Sequence, residues 1–176
     1  MNFHYISRIK TGSDVHKKHI EIDYTELASR EELGKEDLEL LEKAEQAREK
    51  AYSPYSKFKV GAALVLENGK IFTGNNQENA SFPVGLCAER VALFAAHSRY
   101  PGQAIKTLVV TASGSKKVLE TPVTPCGSCR QVFAEFENEQ QQSMKIILAS
   151  GEGKILVFDN SESLLPLSFF SDQLNQ

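Results

Sequence analysis

The chain has 176 residues, 41% of them hydrophobic and 24% charged, which fits a single soluble domain large enough to bury a core. The formal net charge is -3 and the basic residues form no long run, which argues against a polymeric nucleic-acid partner. No stretch is apolar enough to span a bilayer, no apolar leader core opens the chain, and an odd count of 3 cysteines suits a reducing compartment, so the expected location is the cytoplasm.

Residues 1–34 are polar and irregular, with breaks at Gly12 and Gly34, and read as an N-terminal extension with at most a short strand at 19–24. His16 and His19 have metal-ligand spacing, but Lys17 and Lys18 lie between them and an acidic partner is missing, which favours a solvated segment. Residues 35–176 read as one domain. Leu38, Leu41, Ala44, Ala47 and Ala51 recur at helical spacing from Glu36, and that helix must stop before Pro54. "KFKVGAALVLENGKIFTGNN" follows as a hairpin turning at Asn68-Gly69. Its first arm, residues 60–66, is apolar on both faces and so is expected at the centre of a covered sheet. Residues 87–97 read as a helix, and "AIKTLVVTAS" as a strand rich in β-branched residues. Residues 126–138 form a further helix with Val132, Phe133 and Phe136 inward, and 137–143, "ENEQQQS", a loop. "MKIILAS" and "KILVFDN" are two more strands, and "SESLLPLSFFSDQLNQ" is a poorly patterned tail. This order predicts a three-layer α/β/α sandwich around a mixed five-stranded sheet.

Cys126 and Cys129, in "TPCGSCRQV", stand three apart at a helix start, so both sulfurs can lean toward one point. Alone, such a pair is half of a structural zinc knuckle, a redox dithiol, or chance. A closed structural site normally needs four protein ligands, and Cys87 is the one cysteine left. Three thiolates with an open fourth position is the layout of a catalytic zinc. The competing reading makes Cys87 a small buried hydrophobe and the pair a redox motif. Glu89 follows Cys87 by two in "LCAERVALFAAH". An acid there is often only a partner for the helix dipole. Beside a candidate ligand, at the head of an apolar run, it also suits proton transfer from an activated water, which points to hydrolysis of a small molecule.

"CAE" followed by "PCGSC" resembles the C-x-E…P-C-x-x-C signature of the zinc-dependent cytidine deaminase family. "SPYSKFKVGAAL", "NQENASFPVGLCAER", "TPCGSCRQV" and "LLPLSF" are similar to the small nucleoside deaminases, in the family's order, from residue 36 to the C-terminus. Cysteine at position 87, where many nucleotide and nucleic-acid deaminases carry histidine, resembles the three-cysteine, homotetrameric branch. The resemblance implies one zinc per chain on Cys87, Cys126 and Cys129 and no organic cofactor. It also implies that Glu89 shuttles protons while water attacks C4 of the pyrimidine. Cytidine and deoxycytidine would then give uridine, deoxyuridine and ammonia, a pyrimidine-salvage reaction.

By the same resemblance, Asn76 and Glu78, on one side of a strand arm, grip a ribose hydroxyl. Phe58 stacks on the base, Phe82 and Ala88 contact substrate, and Phe169 reaches into a neighbouring subunit's site. Arg90 offsets the thiolate charge, with Arg130 as the competing candidate. Without the resemblance, Asn76 and Glu78 read as polar loop residues, Phe58 as core, and Phe169 with Phe170 as a tail tucked on its own domain. Phe82 departs from the tyrosine common in the family, which removes a hydroxyl near the substrate. Three rival functions share the zinc. One is deamination of a cytosine-bearing antibiotic of the blasticidin S type, against which Asn76 and Glu78 weigh; another is a non-catalytic zinc-binding module; the third is deamination of nucleic acid, disfavoured by the absent basic stripe.

Overall fold

The computed structural model describes residues 16–114, 119–150 and 153–175. In chain order the regular elements are β1 (Thr25–Leu27), α1 (Lys35–Glu49), β2 (Lys59–Leu66), β3 (Ile71–Asn75), α2 (Ala88–Arg99), β4 (Ile105–Ser113), α3 (Gly127–Gln140), β5 (Lys145–Ser150) and β6 (Ile155–Phe158). They form one sheet in the order β1-β6-β5-β4-β2-β3. Among the described strands only β4 and β5 pair in parallel, and α3 supplies the crossover that a parallel pair requires.

The doubly apolar sequence of β2 has a layer on each side. Ala62, Leu64 and Leu66 join a core with Ala92 and Leu93 of α2 and Phe133 of α3. Ala63 and, less deeply, Val65 join a second core with Leu40, Leu41 and Ala44 of α1. Each fully buried leucine stabilises this arrangement by about 1.5–3 kcal/mol. The three-layer α/β/α arrangement is as expected. The hairpin turns at Asn68-Gly69, where Gly69 has φ 78°, a left-handed conformation that glycine adopts without steric penalty.

The sheet has six strands rather than five. The added strand lies at Thr25–Leu27 instead of 19–24, because position along an edge is decided by the partner and not by local alternation. Thr25, Glu26 and Leu27 pair with Val157, Leu156 and Ile155 of β6. Leu27 packs on the α1-side core and Glu26 meets Lys154 at 2.5 Å. Ile20, Ile22 and Tyr24 alternate as a strand would, yet stay exposed. Residues 1–15 of the expected extension lie outside the described residues. The expected loop at 137–143 is also shorter. α3 runs through residue 140 and ends at Gln141, which has φ 52°. The Glu137 carboxylate stays on the helix and accepts from the amides of Met144 at 2.7 Å and Ser161 at 3.0 Å, and from the Ser161 hydroxyl.

Two glycines let helices lie directly on strands. A Cβ at Gly61 would stand 2.1 Å from the Ala44 carbonyl of α1, and one at Gly74 would stand 2.4 Å from the Ala88 carbonyl and 2.6 Å from the Ala92 amide of α2. The second contact seats the first turn of α2 against β3, and so sets where Cys87 and Glu89 stand. No described helix is long and apolar enough to cross a membrane.

Candidate active site

Cys87 and Cys126 are the N-cap residues of α2 and α3, both with extended backbone (ψ 152° and 164°). Neither sulfur caps its own helix, so both are free to turn toward the shared space between the helix starts. Cys129, one turn into α3, is fully buried behind them. The Cys87 and Cys126 sulfurs are 3.8 Å apart, those of Cys126 and Cys129 are 3.6 Å apart, and all three lie within 4.8 Å of one another. Among the described residues this is the one cluster of three or more metal-ligating side chains; His16 and His19 are exposed and outside it.

The cluster fits zinc. A tetrahedral ion with Zn–S bonds of about 2.3 Å would hold its sulfurs about 3.8 Å apart, close to the separations observed. The protonation pattern agrees. Hydrogen bonds from the Cys129 and Cys126 thiols and from Arg90 pull the Cys87 thiol down to about 5, while the Cys129 thiol is pushed far up by Cys87, by burial and by Glu89. Cys87 is thus held toward thiolate and Cys129 toward thiol; a bound dication would relieve the repulsion behind the second shift, and both helix N-termini favour thiolate.

Glu89, in the first turn of α2, is only 4% exposed. Burial raises its carboxyl above the ordinary value, its own backbone amide opposes this, and the charge on Cys87 reinforces it. Arg90 places Nη2 3.7 Å from the Cys87 sulfur, and its buried Nε has no hydrogen-bond partner. Arg130 points elsewhere. Its Nε donates to the Pro125 carbonyl and its Nη1 to the Leu164 carbonyl, each at 2.8 Å, so it fastens the C-terminal segment to the start of α3.

Cys87, Cys126 and Glu89 form part of the wall of a cleft of about 750 Å³, with Cys129 behind it. Phe58, Asn76, Glu78 and Phe82 also line it. Asn76 accepts from the Val60 amide at 2.8 Å and donates to the Phe58 carbonyl at 2.9 Å. Glu78 accepts from the Tyr55 and Ser56 amides at 2.9 and 3.3 Å and from the Ser56 hydroxyl. The Ser56 hydroxyl, followed by burial acting in the other direction and by those amides, leaves the Glu78 carboxyl below its ordinary range. Phe82 is 75% exposed at the mouth and meets Tyr55 edge-on, with ring centroids 6.0 Å apart. Ala88 and Phe169 are not on the lining. The Ala88 side chain is in the core, and Phe169 stands on the C-terminal segment, 52% exposed, with its backbone clamped by both ends of the Gln131 amide.

Sequence reasoning passed over Tyr55 and Ser56, which hold Glu78, and Val123 and Thr124, which also line the cleft. The first pair sits in "SPYSKF", where Phe58 was the one residue given a site role.

Comparison with known proteins agrees with this geometry. Residues 34–144 match the cytidine and deoxycytidylate deaminase zinc-binding region. The cytidine deaminase of Halalkalibacterium halodurans is 42% identical over 136 residues, spanning 77% of this chain and 96% of the relative. The crystal structure of cytidine deaminase from Burkholderia pseudomallei superposes with TM-score 0.65 at 43% identity, covering 74% of this chain and 97% of that one. The Mycobacterium tuberculosis cytidine deaminase structure gives TM-score 0.56 at 31% identity over 75% and 95%. Two helix starts that gather three cysteines around one buried acid, on a chain matched across nearly the full length of these relatives, place it in the cytidine and deoxycytidylate deaminase family.

Proposed function

We infer that the chain is a zinc-dependent cytidine deaminase, an enzyme that hydrolyses cytidine and deoxycytidine to uridine, deoxyuridine and ammonia. The observation that carries this is the three-sulfur cluster beside a buried carboxylate, opening on a cleft of about 750 Å³, a size suited to a small ligand. Cys87, Cys126 and Cys129 would hold zinc, which when bound supplies Lewis acidity and an activated water at neutral pH.

The remaining work falls to side chains. Glu89 takes a proton from the water that attacks C4 and delivers it to N3 of the base; it then moves the proton of the new C4 hydroxyl to the amino group, so that the C4–N bond breaks and ammonia leaves. Its burial raises its proton affinity toward the working pH, as a two-way shuttle needs. Arg90 hydrogen-bonds the Cys87 sulfur and offsets part of the charge of three thiolates. Phe58 and Phe82 offer ring surface to the base. Ala88, with its side chain in the core, can meet substrate only through its backbone. Asn76 has one N–H left and Glu78 retains acceptor capacity, so a ribose hydroxyl can donate to Glu78 while accepting from Asn76. That complementarity favours a nucleoside over an antibiotic with a different sugar.

The same reading includes a cytoplasmic homotetramer, with residues 35–176 as the catalytic domain and 1–34 as an extension. Exposed Leu167 and Phe169 on the C-terminal segment, and Phe169 standing off its own cleft, support a site completed by a neighbour. The test is ammonia release from cytidine, deoxycytidine, blasticidin S and a cytosine-bearing oligonucleotide, with metal measured on the same sample. The expected result is turnover of both nucleosides with about one zinc per chain. Zinc without ammonia from any nucleoside would make this a non-catalytic zinc module.

A further inference from the structure

Between α1 and β2 the chain turns through residues 53–58. The turn closes with the Lys57 amide donating to the Ser53 carbonyl at 3.1 Å, and Lys57 sits at φ 57°. A left-handed conformation at a residue with a side chain is strained and persists where surrounding contacts enforce it. Here the enforced shape turns three consecutive donors, the amides of Tyr55 and Ser56 and the hydroxyl of Ser56, onto the single carboxylate of Glu78. The Ser56 oxygen also accepts from the Phe58 amide at 3.0 Å. That acceptor role orients the hydroxyl and commits its one hydrogen to Glu78.

Counting acceptor sites gives the consequence. Each carboxylate oxygen accepts about two hydrogen bonds. Oε2 of Glu78 takes both amides and Oε1 takes the Ser56 hydroxyl. One acceptor position remains, on Oε1, on a residue that lines the cleft. A free carboxylate would sample several rotamers and present four positions. This one presents a single position in a single direction.

We propose that Ser56 is the positioning residue for sugar recognition: its hydroxyl orients Glu78 so that one oxygen receives one ribose hydroxyl. The inference rests on the deaminase reading and deepens it, adding a residue that need not touch the substrate. Ser56 also ties this sugar contact to the base-stacking Phe58, whose carbonyl is held by Asn76. One hydroxyl thus joins the groups that meet the two halves of a nucleoside.

The experiment compares cytidine with 2′,3′-dideoxycytidine, which keeps the base and the 5′-hydroxyl and lacks the 2′- and 3′-hydroxyls. Ser56→Ala should raise KM for cytidine roughly ten-fold or more, the scale of a lost hydrogen bond to a charged group. The loss should fall on KM rather than kcat, as for binding shared by ground state and transition state. KM for the dideoxy compound should change by less than about two-fold. Ser56→Thr keeps the hydroxyl and should restore cytidine KM, and in a Glu78→Gln background Ser56→Ala should have no further effect. Equal rises for both substrates, or no rise for either, would overturn the proposal. So would failure of Ser56→Thr to restore KM in a folded, zinc-loaded protein. A wild-type chain that deaminates no nucleoside would overturn the functional reading itself, and this inference with it.

Discussion

Glu89 and Glu78 are two carboxylates in one cleft with opposite environments. Glu89 is buried and held toward its neutral form, while Glu78 is ringed by donors and held ionised. The first suits proton transfer and the second suits recognition. Glu89→Gln keeps the shape without the transferable proton, so turnover should fall at least about 10²-fold. Zinc content should be unchanged, since the glutamine replaces no sulfur; near-normal turnover would reduce Glu89 to a helix-start carboxylate. Cys87 with Glu89, and Cys126 with Cys129, were legible in the sequence because each relation is local, two or three apart at the head of a helix, and Cys87 joined the second pair, 39 residues on, as the one cysteine left. The cage around Glu78 was not. Its donors lie 22 and 23 residues away, and only a turn with a strained Lys57 brings them round. The choice between Arg90 and Arg130 was equally closed to sequence, since both follow a cysteine closely. It turns on which carbonyls the fold offers to Arg130.

At the scale of elements, helix-on-strand contact does separate jobs on the two faces of the sheet. Gly61 admits α1 and Gly74 admits α2, at comparably short distances. An alanine at either position must push a helix away, and overpacking of this kind costs about 1–3 kcal/mol or more. Both Gly61→Ala and Gly74→Ala should therefore lower the melting temperature. Only Gly74→Ala should also weaken zinc retention in the folded protein, because only α2 carries Cys87 and Glu89. Equal zinc loss in the two variants would mean that the site senses global stability rather than the seating of α2. The helices, the hairpin and the covering of β2 on both faces were readable from periodicity and turn chemistry, although β2 lies one strand in from the edge and β4 and β5 hold the centre. β1 was not: its place is set by β6, about 130 residues on, and by the Glu26–Lys154 pair, whereas Ile20, Ile22 and Tyr24 carry the local alternation and stay uncovered.

At the scale of the whole molecule, large apolar side chains stand exposed on the turn that carries Phe82 and on the C-terminal segment. Phe82 is 75% exposed, Val84 63%, Leu167 85% and Phe169 52%, more than isolated surface residues would explain. Gln131 of α3 fixes the Phe169 backbone through both ends of its side-chain amide, and Phe169 stays 52% exposed. The proposed homotetramer, with sites shared between subunits, would cover both sets of side chains, and light scattering should then give a mass near four chains. Complementation tests the sharing directly. Glu89→Gln chains lack the proton shuttle, and Phe169→Ala chains lack the ring lent to a neighbour, so each homotetramer should be strongly impaired. After subunit exchange, a site is sound when its own chain keeps Glu89 and the lending chain keeps Phe169. Random assortment makes that about a quarter of all sites, and activity should return to that order. Recovery that depends on mixing cannot come from either variant alone. A fully active monomer, or mixed tetramers no more active than their parents, would show that each chain completes its own site.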